Sequence, residues 1–212
     1  MCVRWPGTPG GRQAPSLSGI SWRTRVAHLL ADHDRACQIV HAIAGAVDVP
    51  VTVKLRRGVQ NGSRAALELG PKLVESGAAS LTLHPRSAQQ MYTGTADHAL
   101  TAELVSLVDV PVVASGDITS RARAQAVLGT TGAEAVMVGR GAQGNPWALR
   151  EIVDGDGDEP SRDEVAAELV LFVREAAREL GERRASGFLK KFYGWYLGRG
   201  RDRKSTRLNS SH

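Results

Sequence analysis

The sequence contains no apolar run of the roughly 18 residues that a membrane-spanning helix needs, and its start lacks the charged, apolar, small-residue order of a secretory signal. Both absences favour the cytoplasm. Cysteine is scarce: Cys2 and Cys37 stand in unlike contexts without metal-ligand spacing, which argues against a disulfide framework and against a zinc site. Cys37, in "DRACQIV", reads instead as a small apolar residue packed within a helix. What is present is ordinary globular material: 212 residues, 42% hydrophobic and 23% charged, enough for one domain with a buried core and a small appendage. The net charge of +5 is compatible with a polyanionic partner, although much of the excess lies near the C-terminus.

The informative stretch is "VTVKLRR", Val51 to Arg57, which follows Pro50, precedes Gly58 and is rich in β-branched residues, as a strand is. On a strand, side chains alternate between faces, so Val51, Val53 and Leu55 share one face while Thr52, Lys54 and Arg56 share the other. "LTLHPRS" repeats the pattern, with Leu81 and Leu83 opposite Thr82, His84 and Arg86. Two strands thus aim cations and an imidazole the same way.

The surrounding pattern is a βα rhythm. A helix capped by Asp32 carries Cys37, Ile39, Val40, Ile43 and Val47 at helical spacing, and further helices are expected near Ser63 to Ser76, Asp97 to Val108 and Ser120 to Leu128. A turn of helix is expected from Pro146. Strands begin near residues 51, 81, 112 and 135, and "DVPV" recurs at Asp48 and Asp109 before two of them. This is the pattern of a parallel α/β sheet, and strands with one polar face suit a (β/α) barrel whose mouth is lined by inward side chains. A full barrel has eight strands, so four βα units read as the C-terminal half of one. The expected division is an irregular or non-native segment at 1–31, a partial barrel at 32–153, a helical unit at 160–200 and a non-native tail at 201–212. Within the helical unit Ser161 and Glu164 form a capping box, and Val165, Leu169, Phe172, Val173 and Leu180 make the apolar stripe. "FYGWY", Phe192 to Tyr196, reads as helix core rather than as a stacking platform for bases.

Two strand-to-helix turns could hold an anion: Ser115, Gly116 and Asp117 in "VVASGDIT", and Gly139, Arg140 and Gly141 in "VMVGRGAQG". Glycines let backbone amides approach an anion closely, and the last two loops of a barrel are the usual phosphate cradle. Such turns also occur simply because tight geometry demands glycine. Lys54 has an equally plain reading as a strand-end lysine in solvent, and His84 as a satisfied core histidine. Their common face favours a ligand, and a lysine there could stabilise negative charge on an electron-accepting ring.

Taken in order, "DVPVTVKLRRG", "LTLHPRSAQQMYTGTADH", "VPVVASGDI", "AVMVGRGAQGNPW" and "KKFYGWYL" resemble the bacterial B-type tRNA-dihydrouridine synthases from about Asp32 to Leu197. The resemblance implies a flavoprotein oxidoreductase: FMN sits at the mouth of a TIM barrel, NADPH is the electron donor, and uridine in tRNA is reduced. It implies FMN binding by Lys54, His84, Ser115, Gly116, Asp117, Gly139 and Arg140, and a target uridine bordered by Arg56 and Tyr92. A helical domain that binds tRNA follows the barrel. No metal is implied, and the full-length protein is expected to be monomeric.

Departures accompany the match. The family's general acid is a cysteine in an "N-x-G-C-P" block that this sequence lacks, and Cys2 has neither the spacing nor the flanking Asn and Pro to replace it. No catalytic residue is therefore assigned. Ser115 stands where the family usually has Asn, keeping a hydroxyl and losing an amide donor. The expectation is a fragment, inactive alone, whose exposed edges promote self-association. Two other functions are compatible with parts of the sequence. One is a non-catalytic RNA-binding remnant using Arg183, Arg184, Lys190 and Lys191, and the other is a different FMN- or phosphate-binding barrel enzyme.

Overall fold

The structure is a computed structural model, in which residues 29–155 and 159–199 are described. The expected irregular segment lies outside the described residues up to residue 28, as do Cys2, the 201–212 tail and part of the linker. Leu30, at the end of that segment, is buried in the core.

The elements alternate as α1 (His33–Ala44), β1 (Thr52–Arg56), α2 (Ala65–Glu75), β2 (Ser80–His84), α3 (His98–Leu107), β3 (Val112–Ser115), α4 (Arg121–Thr131), β4 (Ala135–Met137) and α5 (Ala148–Asp154). A helical pair follows, α6 (Arg162–Leu180) and α7 (Glu182–Arg199). The four strands form one sheet in sequence order, every neighbouring pair parallel. This is the α/β arrangement expected of part of a TIM barrel. A short 3₁₀ turn at Arg140–Ala142, which the sequence pattern did not suggest, follows β4.

Local chemistry explains the helix starts. The Asp32 carboxylate accepts from the Arg35 amide at 3.1 Å, and the Ser120 hydroxyl accepts from the Arg123 amide at 3.2 Å. At α6 the reciprocal capping box is complete, with the Glu164 amide donating to the Ser161 hydroxyl and the Ser161 amide donating to the Glu164 carboxylate. Helix α4 runs a turn beyond Leu128 and stops at Gly132, whose left-handed φ of 70° closes the helix.

The sheet's apolar face meets the helices. Leu55, Leu81, Leu83 and Val112 pack with Leu69 and Leu73 of α2 and with Leu100 and Leu104 of α3. Ala114, Ile118, Ala124 and Val127 continue this layer toward α4. Helix α1 turns Ala36 and Val40 inward, whereas Ile39 and Ile43, expected on the same stripe, are exposed. In the helical pair, Phe172 of α6 contacts the rings of Phe188, Phe192 and Tyr196 of α7 at centroid distances of 5.1 to 6.2 Å. Of "FYGWY", Tyr196 is buried and Phe192 partly so, as the core reading requires, while Tyr193 and Trp195 are exposed. The pair touches the sheet's last loop at Gly144, where a Cβ would lie 2.6 Å from Trp195 Cβ and 3.1 Å from its backbone carbon.

Leu104 is fully buried between α3 and its neighbours. Leu104→Ala should lower unfolding stability by about 2–5 kcal/mol through the cavity it leaves, read as a lower urea midpoint with an unchanged slope.

Candidate functional site

The parallel register places the polar side chains in two rows. Lys54 is level with Thr82 and Val113, and Arg56 is level with His84 at the strands' C-terminal ends. Register partners in a sheet point to the same side, so Lys54, Arg56, Thr82, His84 and Ser115 share the face opposite the helix-covered one. Thr82, His84 and Ser115 are buried, whereas Lys54 lies open on the edge strand. Beside β1 is a groove of about 650 Å³ lined in part by Val53, Lys54, Arg56, Met91 and Tyr92.

The alternation that placed Arg86 on this face ends with β2. Arg86 instead turns inward and is 1% exposed. Its Nε donates to the Thr93 carbonyl at 3.2 Å, and its Nη2 donates to the Gly94 carbonyl at 2.5 Å and the Asp117 carboxylate at 2.8 Å. Its Nη1 lies 3.5 Å from His84 Nε2. The same Asp117 oxygen accepts from the Ala96 amide at 2.8 Å, and Arg140 approaches the other oxygen at 3.6 Å. Burial pushes the Asp117 carboxyl up, but the hydrogen bonds from Arg86 and Ala96 and the two guanidinium charges outweigh it and hold the group below its ordinary range.

Asp117 has φ of 55° and follows Gly116 at φ 118°. A Cβ on Gly116 would lie 2.9 Å from both His84 Cδ2 and Ala96 Cβ, so glycine is required by space as well as by conformation. The Gly116 carbonyl accepts from His98 Nε2 at 3.0 Å. The Asp117 carboxylate is thus committed to the protein, and any contact it makes with a bound anion must use its backbone.

Tyr92, on the loop between β2 and α3, has the Arg140 guanidinium 4.8 Å from its ring centre and that of Arg56 5.7 Å away. Arg56 also donates to the Ser87 carbonyl at 2.8 Å and the Met91 carbonyl at 3.3 Å. The residues expected to border a substrate base are therefore brought together, and Arg140 reaches them from the far end of the sheet. At Gly139 a Cβ would meet open space, so its backbone is free to be approached. Sequence reading missed the inward role of Arg86 and the part of His98; the only available signal was that both flank the glycine-rich turn's partners.

Cation density shapes the titration of this face. Partial desolvation of the otherwise exposed side chain first, then the positive charge of Arg56, lowers the Lys54 ammonium below its ordinary value. Burial followed by the charges of Arg56, Lys54 and Arg86 pushes His84 down to about 4, with Asp117 opposing weakly.

A parallel α/β sheet carrying a basic polar face and two glycine turns at its C-terminal edge has the layout of part of a (β/α) barrel. The dihydrouridine synthase family model matches residues 24–199, and the chain belongs to that family. It is 37% identical over 199 residues to a probable tRNA-dihydrouridine synthase of Rhodobacter capsulatus, covering 90% of this chain and 58% of the relative. It is 36% identical to tRNA-dihydrouridine synthase B of Pseudomonas putida, covering 80% of this chain and 52% of the relative. A third relative, the B enzyme of Shewanella oneidensis, is 38% identical over 75% of this chain and 51% of its own length. The chain thus spans about half the length of the curated relatives it matches. Among solved structures, a nitroalkane oxidase from Streptomyces ansochromogenes aligns over 59% of this chain and 48% of its own at 21% identity and a TM-score of 0.32, too slight a likeness to build on.

Among the described residues no helix is long and apolar enough to cross a membrane, and no cluster of three or more metal-ligating side chains occurs.

Because the folded pKa of His84 is depressed, the unfolded chain binds a proton that the folded chain does not between pH 6.5 and about 4. Its contribution is present above pH 6.5 and is lost as pH falls toward 4, to a limit of about 3 kcal/mol. Urea unfolding across that range should show the loss, and His84→Gln should flatten it relative to the unsubstituted chain.

Proposed function

We propose that this chain supplies flavin- and tRNA-binding residues of a tRNA-dihydrouridine synthase, an FMN-dependent and NADPH-driven reductase of uridine in tRNA. The observation that carries the reading is the in-register polar face, Lys54 with Thr82 and Arg56 with His84, ending beside two glycine turns. The relatives are named tRNA-dihydrouridine synthases. In this reading residues 32–153 form the cofactor-binding part and residues 160–200 the RNA-binding part.

The residues fit a flavin phosphate and ring in kind. Backbone groups at Ser115, Gly116, Asp117 and Gly139, with the Arg140 guanidinium, would hold the phosphate; the open space over Gly139 leaves room for it. Lys54 and His84 would lie along the ring, where a cation stabilises the electron-rich form. FMN bound there and reduced by NADPH would supply the hydride for the pyrimidine double bond, with the proton for the adjacent carbon coming from a general acid not assigned among these residues. Arg56 and Tyr92 border the uridine, whose base must leave its stack to reach the face. Held by loop carbonyls, the Arg56 guanidinium is pre-positioned rather than swinging in solvent. Cys37, a free cysteine on α1, packs against the core.

Titrating the purified 212-residue chain with FMN should give a protein-bound flavin absorbance spectrum, and Lys54→Ala should weaken binding by about tenfold or more, the worth of one charge-assisted contact. Absence of binding by the unsubstituted chain would count against the flavin reading, and equal binding by Lys54→Ala would remove Lys54 from the ring.

The helical pair has its own expectation. Arg183, Arg184 and Lys190 are exposed on α7, while Lys191 Nζ lies 4.6 Å over the Phe188 ring and 5.0 Å over that of Phe192. If α7 meets tRNA phosphates, Arg183→Ala and Lys190→Ala should each reduce the slope of log affinity against log salt by about 1. An unchanged slope assigns the RNA contact elsewhere.

A further inference from the structure

The edge of the His84 ring that faces the protein is defined by two independent neighbours. Arg86 Nη1 lies 3.5 Å from Nε2, at the long end of a hydrogen bond, and because a guanidinium can only donate, Nε2 takes the acceptor role in that contact. On the same edge, the position of a Gly116 Cβ would be 2.9 Å from Cδ2 and 3.3 Å from Nε2, so the turn after β3 closes over this side of the ring. Arg86 has no freedom to move away: Thr93, Gly94 and Asp117 hold its other nitrogens, and its side chain is fully enclosed.

We infer that Arg86 is a positioning residue that fixes His84 with its proton on Nδ1, so that the imidazole offers a single N–H donor to an acceptor on the open polar face. A ring carbonyl or ring nitrogen, of the kind flavins and pyrimidines present, is the acceptor class that suits one neutral N–H. His84 therefore acts as a hydrogen-bond donor. The charged groups that face it agree with this assignment: Lys54 and Arg56 from β1 and Arg86 from beyond β2 oppose a fourth positive charge, and Asp117 from the turn after β3, already bonded to Arg86, opposes them only weakly. The tautomer stands on the protein's own contacts, while its use toward a flavin or uridine rests on the function proposed above.

The test is nitrogen-15 NMR of the histidine rings in the full chain without added cofactor, with the His84 signals assigned by their loss in His84→Gln. Between about pH 5.5 and 8, Nε2 should give the unprotonated signature and Nδ1 the protonated one, without averaging between the two. A proton on Nε2, or a doubly protonated ring near pH 7, would overturn the inference. In Arg86→Met, which removes the donor facing Nε2, the two tautomers should mix. A folded Arg86→Met chain with the tautomer unchanged would also overturn it. Should that variant not fold by circular dichroism, Arg86→Gln, whose amide can accept from Nε2 as well as donate to it, is read in the same way. Because no flavin is present, failure here is separate from failure of FMN binding: a chain that binds FMN with the other tautomer refutes only the role of Arg86.

Discussion

The buried guanidinium of Arg86 is the constraint on which the rest of the polar face depends. It ties together three segments distant in sequence: the end of β2, the loop at Thr93 and Gly94, and the turn at Asp117. A buried cation is costly unless its charge and its donors are all answered, and here one carboxylate and two carbonyls answer it. Asp117 can meet Arg86 only because its backbone adopts a left-handed φ behind Gly116, and Gly116 in turn must lack a side chain because His84 occupies that space. The turn that resembles a phosphate cradle is thus shaped from behind by an ion pair. An open cradle and a rigid one are the same feature seen from two sides.

The second constraint is register. In a parallel sheet a one-residue slip would exchange the two faces of a strand, moving Lys54 and Arg56 into the leucine layer of α2 and α3. The burial of Leu55, Leu81 and Leu83 prevents that slip, so the apolar layer under the sheet fixes the level at which Arg56 meets His84. Packing energy on one face thereby sets geometry on the other. The link from core to site needs no long-range communication, only the pleat.

Much of this was legible in the sequence wherever the cause is local. Alternation in "VTVKLRR" and "LTLHPRS" placed the polar face, and Asp32, Ser161 and Glu164 marked helix starts because capping involves residues three apart. The reading stopped where the cause is distant. Arg86 looked like one more outward cation, since its partners Thr93, Gly94 and Asp117 come together only after the sheet forms. Ile39 and Ile43 fit a helical stripe, yet which side of α1 is covered depends on where α2 packs, and there Ala36 and Val40 face inward. The 3₁₀ turn at Arg140 likewise had no periodic signature, being too short to have a period.

Charge on the polar face follows from the same geometry. Lys54, Arg56, Arg86 and Arg140 converge on a small region with Asp117 as the carboxylate that answers two of them. Such a face would repel a further cation and attract an anionic or electron-rich ring. The imidazole at its centre is held well below its ordinary pKa, first by burial and then by each nearby positive charge, which raises the cost of protonating it. An uncharged donor among cations has a use that a fifth cation would not. It discriminates by direction, since one N–H must find one lone pair, whereas ammonium and guanidinium groups supply field strength with looser angular demand. Attraction and orientation are therefore carried by different side chains on the two adjacent strands, and the ion pair behind them keeps those tasks apart.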